Sequence, residues 1–149
     1  MAFLQFDAAS YPLNNNEWSF PLVEIIHIIS FAVLISTIAI VDFRLLGLGL
    51  KRYSPAQLMK DLAPWTLGGL IVVLMSGPLI FFSMPIIYLY NGGFRFKMGA
   101  LLLAILYNYT VHRKVILSNP SPATGKIVGL LSLALWISVV GGGIFIAFV

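Results

Sequence analysis

The sequence predicts an all-α integral membrane protein that folds as a four-helix bundle, and three observations lead to this prediction. The chain has 149 residues, of which 60% are hydrophobic and only 9% are charged, whereas soluble domains carry about 25% charged residues. Its mean hydropathy is +0.98. Four apolar runs follow one another, and each is long enough to cross about 30 Å of hydrocarbon as a helix of about 20 residues.

The four predicted spans are bounded by charged or turn-forming residues. They cover residues 20–41, 64–89, 94–117 and 127–149. Trp18 and Trp65 precede or open a span and suit the membrane interface. The segment 42–52 is too charged to be buried, and Asn91-Gly92-Gly93 is typical of a tight turn. We expect a single transmembrane domain, residues 1–149.

Basic residues are concentrated at one end of the predicted bundle. Seven of them lie in or near the connections after spans one and three: Arg44, Lys51, Arg52, Lys60, Arg113, Lys114 and Lys126. Only Arg95 and Lys97 lie near the second connection, and the segment 1–19 carries Asp7 and Glu17 but no basic residue. The positive-inside rule therefore predicts both termini outside, on the periplasmic side of a bacterial inner membrane. Since residues 1–19 lack a signal-peptide pattern, we expect them to remain as a tail at the outer surface.

The connections between the predicted spans are short, which favours an up-down-up-down order with neighbouring helices antiparallel. The first connection is the longest. Within it, Ser54-Pro55-Ala56-Gln57 resembles a helix start, with a serine cap and a proline in the first turn. We expect a short surface helix at this point.

Polar and ionisable side chains inside or at the ends of the spans are the candidate functional residues, because each costs on the order of a few kcal/mol in lipid unless it has a partner. This intramembrane polar cluster consists of Glu24, His27, Asp42, Arg44, Lys97, Asn108 and His112. At 3.6 residues per turn, Lys97, Asn108 and His112 form one stripe along span three. Glu24 and His27 share a face of span one, and the simplest packing turns the two stripes toward each other.

Depth divides the polar residues into two levels, counted from the outer ends of spans one and three. The outer level holds Glu24, His27 and Lys97, and the inner level holds Asp42, Asn108, His112 and Arg113. We expect Glu24 or Asp42 to neutralise a basic group at its own level, as buried charges must be paired. In the alternative, Lys97 and Arg113 extend to the interfaces and the histidines only bond to a neighbouring helix.

His27 and His112 are candidate cofactor-binding residues, since a histidine can ligate the iron of haem b. Their depths differ by roughly 16 Å at about 1.5 Å per residue, whereas two axial nitrogens on one iron lie about 4 Å apart. We therefore do not expect both histidines on one haem. Either of them can bind a separate haem with a different second ligand, and a quinone can also occupy the polar stripe.

Glu24-x-x-His27 has the spacing of a carboxylate and an imidazole in bundle metal sites. At this level the other spans supply only Lys97, so no metal site is predicted. The alternative is a hydrogen bond between Glu24 and His27 that would suit a proton relay.

Spans two and four carry small residues and prolines. The small residues form two patterns, Gly125-x-x-x-Gly129 and Ala134-x-x-x-Ser138-x-x-x-Gly142. Both patterns allow close approach of another helix. In span two, Ser76-Gly77-Pro78 predicts a mid-membrane kink, which either opens a cavity beside the polar stripe or is absorbed by neighbouring helices.

Several classes of site are excluded by the sequence. The chain has no cysteine, so it forms no disulfide, thiolate metal site or covalent c-type haem attachment. It lacks the short motifs of soluble enzymes, and no catalytic residue or catalytic activity of its own is predicted. Anionic lipid accounts for the basic connections, so nucleic acid is not an expected partner.

Five short sequence patterns contain or accompany the polar residues of the spans. They are Leu22-Val23-Glu24-x-x-His27, Asp42-Phe43-Arg44-Leu45-Leu46-Gly47, Ser76-Gly77, Phe94-x-x-Lys97 and Asn108-x-x-x-His112. With them the chain resembles a family of short, uncharacterised four-span bacterial membrane proteins over most of its length. The resemblance implies that the polar cluster belongs to the family pattern, and it brings no established activity. A fainter likeness to four-helix cytochromes b is based on bundle size and histidines alone.

The sequence leaves three functional hypotheses. The leading one is a non-catalytic subunit or accessory of a larger, redox-linked complex in the inner membrane, with other membrane subunits and the bilayer as partners. It is based on the absence of a catalytic constellation and on small-residue faces that suit partner helices. One alternative is a carrier of electrons or protons that binds haem b or quinone, and another is a transporter of small solutes or metal ions.

Overall fold

The computed structural model describes residues 10–149, and every regular element in this stretch is helical. The helices are α1 (Ser19–Leu45), α2 (Pro55–Ser83), the short α3 (Pro85–Tyr90), α4 (Gly92–Leu117) and α5 (Pro122–Phe145). All but α3 are long and apolar enough to cross a membrane, which confirms the predicted all-α architecture with four apolar helices. Residues 1–9 of the predicted surface tail, including Asp7, lie outside the described residues.

The helix that the sequence predicts in the first connection is the beginning of α2. Ser54 caps it, since its Oγ accepts a hydrogen bond from the backbone N–H of Gln57 at 3.1 Å, and Pro55 occupies the first helical position. From there α2 continues without a break to Ser83. The prediction of a separate surface helix was therefore wrong, because a good start signal does not show where the helix ends.

The C-terminal end of α2 is set by Met84 and Pro85, which follow its last residue, Ser83. Pro85 cannot donate a backbone hydrogen bond, and the backbone turns at Met84, which has φ −147° and ψ 62°. Segment 10–18 packs at this end, where the Tyr11 hydroxyl donates to the carbonyl of Leu79 at 3.0 Å. The predicted span at 64–89 thus corresponds to most of α2 followed by the separate helix α3.

The outward faces of the four long helices are apolar. Large hydrophobic side chains such as Leu22, Leu74, Leu102 and Ile137 are exposed. In water such an apolar surface would cause aggregation, whereas in a bilayer the equally apolar lipid chains solvate it. The exposed apolar faces therefore place the bundle in a bilayer.

Helix pairing sets the positions of the polar residues. The main packing is of α1 on α2 and of α4 on α5, and α1 also packs against α5. Accordingly, α1 and α4 stand diagonally and meet through side chains across the bundle axis. The connections after α1 and after α4 lie at one end, which we call the basic end because it carries Arg44, Lys51 and Lys114.

A layer of buried apolar residues fills the middle of the bundle. This apolar layer consists of Leu34, Ile38, Leu70, Ala100, Leu101, Ala104, Trp136 and Val139. Along α1 it lies between His27 and Asp42, and along α4 it lies between Lys97 and Asn108. The layer therefore separates the two levels of polar residues.

The glycines of the small-residue patterns pack against other helices of the same chain. A methyl group at Gly129 would lie 3.1 Å from the Asp42 carbonyl oxygen and 3.1 Å from Leu45 Cβ, and one at Gly142 would lie 3.0 Å from Lys97 Cα. These glycines let α5 approach α1 and α4 closely. They therefore leave no free small-residue face for a partner subunit at these positions.

Gly93→Ala is expected to destabilise the protein by about 1–3 kcal/mol, because overpacking forces the backbone to shift. A Cβ at Gly93 would lie 2.8 Å from the backbone nitrogen of Ile146 and 2.9 Å from the carbonyl carbon of Phe145. The matched control is Gly99→Ala in the same helix, where nothing lies within 4 Å. Unfolding in mixed micelles checks this contrast, and equal stability of the two variants would contradict it.

Candidate functional site

The structure places the predicted polar residues in two separate sites. Glu24, His27 and Lys97 line a large cavity on the side of the apolar layer away from the basic end. Asp42, Asn108 and His112 lie on the other side, and the last two line a small cavity. Arg44 belongs to neither site, since its Nε donates to the carbonyl of Tyr53 at 2.7 Å in the first connection.

The large cavity has a volume of about 880 Å³ and is walled by side chains from all four long helices and from α3. Its aromatic lining consists of Phe31, Phe81, Phe82, Tyr88 and Phe94. Three of these rings form a cluster, with Phe81 stacked on Phe94 at 5.5 Å between centroids and Tyr88 at 5.4 Å from Phe94. Gly77 and Pro78 contribute to the wall, so a cavity lies beside the Ser76-Gly77-Pro78 segment, which is one of the two alternatives expected from the sequence.

His27 is held in the cavity wall by a serine of the neighbouring helix. Its Nδ1 lies 2.7 Å from Ser76 Oγ, and that hydroxyl donates its single proton to the carbonyl of Val72 at 2.7 Å. With its proton donated to Val72, Ser76 accepts from His27, and this arrangement corresponds to the tautomer of neutral His27 that carries its proton on Nδ1. Within residues 10–149 no group hydrogen-bonds Nε2, so its lone pair is available in the cavity.

A cation and a carboxylate complete the polar part of the large cavity. Lys97 Nζ lies 5.4 Å from the centroid of the Phe31 ring, a cation–π contact, and Phe31 also stacks on His27 at 6.4 Å. Glu24 is exposed in the cavity wall. His27 bonds to Ser76, and within residues 10–149 it has no hydrogen bond to Glu24, the alternative expected from the sequence.

The second site is a buried carboxylate–imidazole pair. Asp42 Oδ1 lies 2.6 Å from His112 Nε2, and the two residues are 0% and 2% exposed. Asp42 thus has the basic partner at its own depth that a buried carboxylate requires. His112 reaches it because residues Asn108–His112 form a π-helical turn within α4, and such turns rotate the following side chains relative to a regular helix.

Further polar atoms near this pair are buried without a hydrogen-bond partner in the described chain. They are Asp42 Oδ2, Asn108 Oδ1 and Ser132 Oγ, and Trp136 Nε1 is a fourth such atom that lies within the apolar layer. Ser132 lies beside the Asp42 carboxylate but not in good hydrogen-bond geometry. Orphaned buried polar atoms are rare in proteins, and several around one pair indicate that the site takes up water or another small polar species.

Two residues of these sites were not predicted from the sequence. Ser76 was treated only as part of a helix-breaking segment, and Ser132 lies in a span whose small residues were assigned to packing. A serine inside a membrane helix most often bonds to its own carbonyls, and Ser76 does so as well. Its second role depends on the rotation of α2 against α1, for which the sequence contains no local signal.

Together the apolar exterior, the four long helices and the two interior polar sites define a multi-pass membrane protein. More specifically, the chain belongs to DUF6644, a family of unknown function whose model matches residues 20–149. The predicted resemblance to an uncharacterised four-span family is thus confirmed. No curated protein and no solved structure matches the chain.

Proposed function

We propose that the protein is a membrane electron carrier that binds haem b in the large cavity, where His27 would hold the iron. The single observation that carries this proposal is the state of the His27 ring. Its Nδ1 is engaged by Ser76 at 2.7 Å, while Nε2 keeps a free lone pair in a cavity of about 880 Å³. Histidines that bind metals are held in this way, with the second nitrogen donating to an oxygen of the protein.

The tautomer of His27 favours haem over quinone. A quinone carbonyl needs a hydrogen-bond donor, and neutral His27 spends its only N–H on Ser76. The ring of His27 therefore suits an iron, whereas the donor to a quinone in this cavity would have to be another group such as Lys97. Haem iron needs an unprotonated imidazole nitrogen, and Nε2 supplies one. The preference for haem over quinone therefore depends on two hydrogen bonds of Ser76, one to Val72 in its own helix and one to His27 in α1.

The remaining lining of the cavity also fits a porphyrin. Ligand pockets of about 300–1,000 Å³ are typical for cofactors, and apolar or aromatic walls supply most of their contacts. Lys97 is the cation within this cavity and would pair with a carboxylate side chain of the macrocycle. When bound, the iron would supply one-electron chemistry, while the protein would set its ligation and exclude water.

The structure gives the other hypotheses less support. The accessory-subunit hypothesis was based partly on small residues, but Gly125, Gly129 and Gly142 pack within the chain, so this role stays a prediction. Transport of solutes or metal ions is disfavoured by the apolar layer, which lies across the middle of the bundle. We further propose the bacterial inner membrane as the location, with the basic end facing the cytoplasm and both termini outside, following the positive-inside rule.

The test is an absorption spectrum of the full chain purified from its native membrane. We expect a Soret band and a haem b signal in a pyridine haemochrome assay, and we expect His27→Ala to lose both. The double variant Asp42→Leu, His112→Leu is the matched control, since it removes the imidazole of the other site without leaving Asp42 buried and unpaired, and it should keep the chromophore. A colourless wild-type protein, or equal loss in both variants while both stay folded, would contradict the proposal.

A further inference from the structure

Of the Asp42–His112 pair, His112 lines a small cavity that the proposed haem site does not use. This cavity has a volume of about 120 Å³ and lies between α1, α2 and the π-helical turn of α4. About 10–15 Å³ of such space admits one water molecule, so it holds several. Arg113 forms part of its wall, is exposed and lies close to the end of α4, so the cavity reaches toward the basic end of the bundle.

Only one of the two ring nitrogens of His112 has a hydrogen-bond partner among the described residues. Nε2 is engaged by Asp42 Oδ1 at 2.6 Å, whereas no described residue hydrogen-bonds Nδ1. Since His112 also lines the small cavity, water in the cavity has access to the ring. An imidazole with a buried carboxylate on one nitrogen and water near the other is arranged to accept a proton.

The environment of Asp42 supports a site that binds a positive charge. Asp42 is fully buried, and its Oδ2 has no hydrogen-bond partner among the described residues. A buried carboxylate without a full set of donors gains more from a cationic neighbour than an exposed one does, because the interior screens charge poorly. The only basic side chain within hydrogen-bonding distance of it in the described chain is His112.

We propose that the Asp42–His112 pair is a proton-binding site that exchanges protons with water at the basic end of the bundle only. On uptake, an O–H bond of a hydronium ion in the small cavity breaks and an N–H bond forms at His112 Nδ1. The imidazolium keeps its Nε2–H bond to the Asp42 carboxylate, so the charge is neutralised within the pair. The reverse step returns the proton to the same cavity.

The apolar layer closes the route toward the large cavity. Trp136 and Val139 on α5, like Leu34 and Ile38 on α1, are buried between the two sites. Apart from Trp136 Nε1 this layer offers a water molecule no polar partner, whereas a buried water needs about two to four of them. The proton therefore enters and leaves by one end, and the site stores a proton without conducting it across the membrane.

Helices α2, α4 and α5 each place polar or charged side chains near the Asp42–His112 pair. On α4, Tyr107 lies 6.1 Å from the His112 ring between centroids, and Tyr109 and Arg113 line the small cavity. The Tyr107 hydroxyl donates to the carbonyl of Val128 at 2.9 Å. α2 contributes Thr66 to the cavity wall, and α5 contributes Ser132, which is uncharged. Arg113 is thus the one permanent charge in the cavity wall.

The proposal is tested by following the ring nitrogens of the two histidines by NMR in the full chain, in lipid nanodiscs, as the pH is varied. We expect the ring of His112 to gain and lose a proton reversibly over the pH range in which the protein stays folded. Asp42→Asn should change the midpoint of this protonation, because it removes the carboxylate in contact with the ring. Asp61→Asn is the matched control, since Asp61 is exposed on α2, and its midpoint should equal that of the wild type.

Three results would overturn the proposal. The first is a wild-type His112 that keeps one protonation state across this pH range, a result that needs no variant to fold. The second is an Asp42→Asn protein with an unchanged midpoint. The third is proton flux through the wild-type chain in liposomes that contain a pH-sensitive dye, because the apolar layer would then not close the site.

Discussion

Replacing Asp42 with alanine is expected to lower the free energy of unfolding by about 3–5 kcal/mol, because removal of one partner leaves the other buried and unpaired. His112 is 2% exposed and its Nε2 bonds to the Asp42 carboxylate at 2.6 Å. No other described side chain can replace that carboxylate. The substitution also leaves an empty space where α5 packs closely on α1, since even a methyl group at Gly129 would lie 3.1 Å from the Asp42 carbonyl oxygen.

Equilibrium unfolding in mixed micelles measures this loss, and two variants control it. Asp61→Ala removes an exposed carboxylate from α2 and should change stability by no more than about 0.5 kcal/mol. The double variant Asp42→Leu, His112→Leu should recover much of the loss, since an apolar pair of similar volume avoids the desolvation of both groups. Equal stability of Asp42→Ala and Asp61→Ala would show that the pair does not support the bundle.

The second large effect is expected at Ser76. Ser76→Ala removes the acceptor that holds His27 Nδ1 at 2.7 Å, so the ring loses its fixed tautomer and orientation. Loss of such a supporting bond typically weakens metal binding by about 10–100-fold. We therefore expect haem affinity to fall by that factor while the fold is kept.

Titration of the apoprotein with haemin gives the affinity, and Ser138→Ala supplies the control. Ser138 Oγ also donates to the carbonyl four residues earlier, that of Ala134 at 2.7 Å, but it contacts no histidine. Its substitution should leave the affinity unchanged. An identical affinity for Ser76→Ala and wild type would mean that the serine does not position His27.

Depth along the membrane was predictable from the sequence because the rise per residue of a helix is constant. Counting along the spans placed Glu24, His27 and Lys97 at one level, and these residues line one cavity. The same counting placed Asp42 and His112 together, and they form a hydrogen bond at 2.6 Å. It also separated the two histidines, which line different cavities.

Contacts that depend on helix rotation were not predictable. The Ser76–His27 bond requires a particular rotation of α2 about its axis, and nothing in the local sequence of either helix fixes that angle. The π-helical turn at Asn108–His112 likewise depends on tertiary packing, because the segment contains no proline or glycine to mark it. A glycine pattern such as that at Gly125 and Gly129 predicts a close helix contact but not whether the second helix belongs to the same chain.

The central claim is that His27 Nε2 ligates a haem iron, and imidazole rescue of His27→Gly tests it most directly. The substitution leaves a space in the wall of a cavity of about 880 Å³, which free imidazole can enter. The account predicts that haem binding and the Soret band are lost in the variant and return on addition of imidazole, but not of a non-coordinating analogue such as pyrrole. A variant that keeps a wild-type haem spectrum without imidazole would contradict the claim.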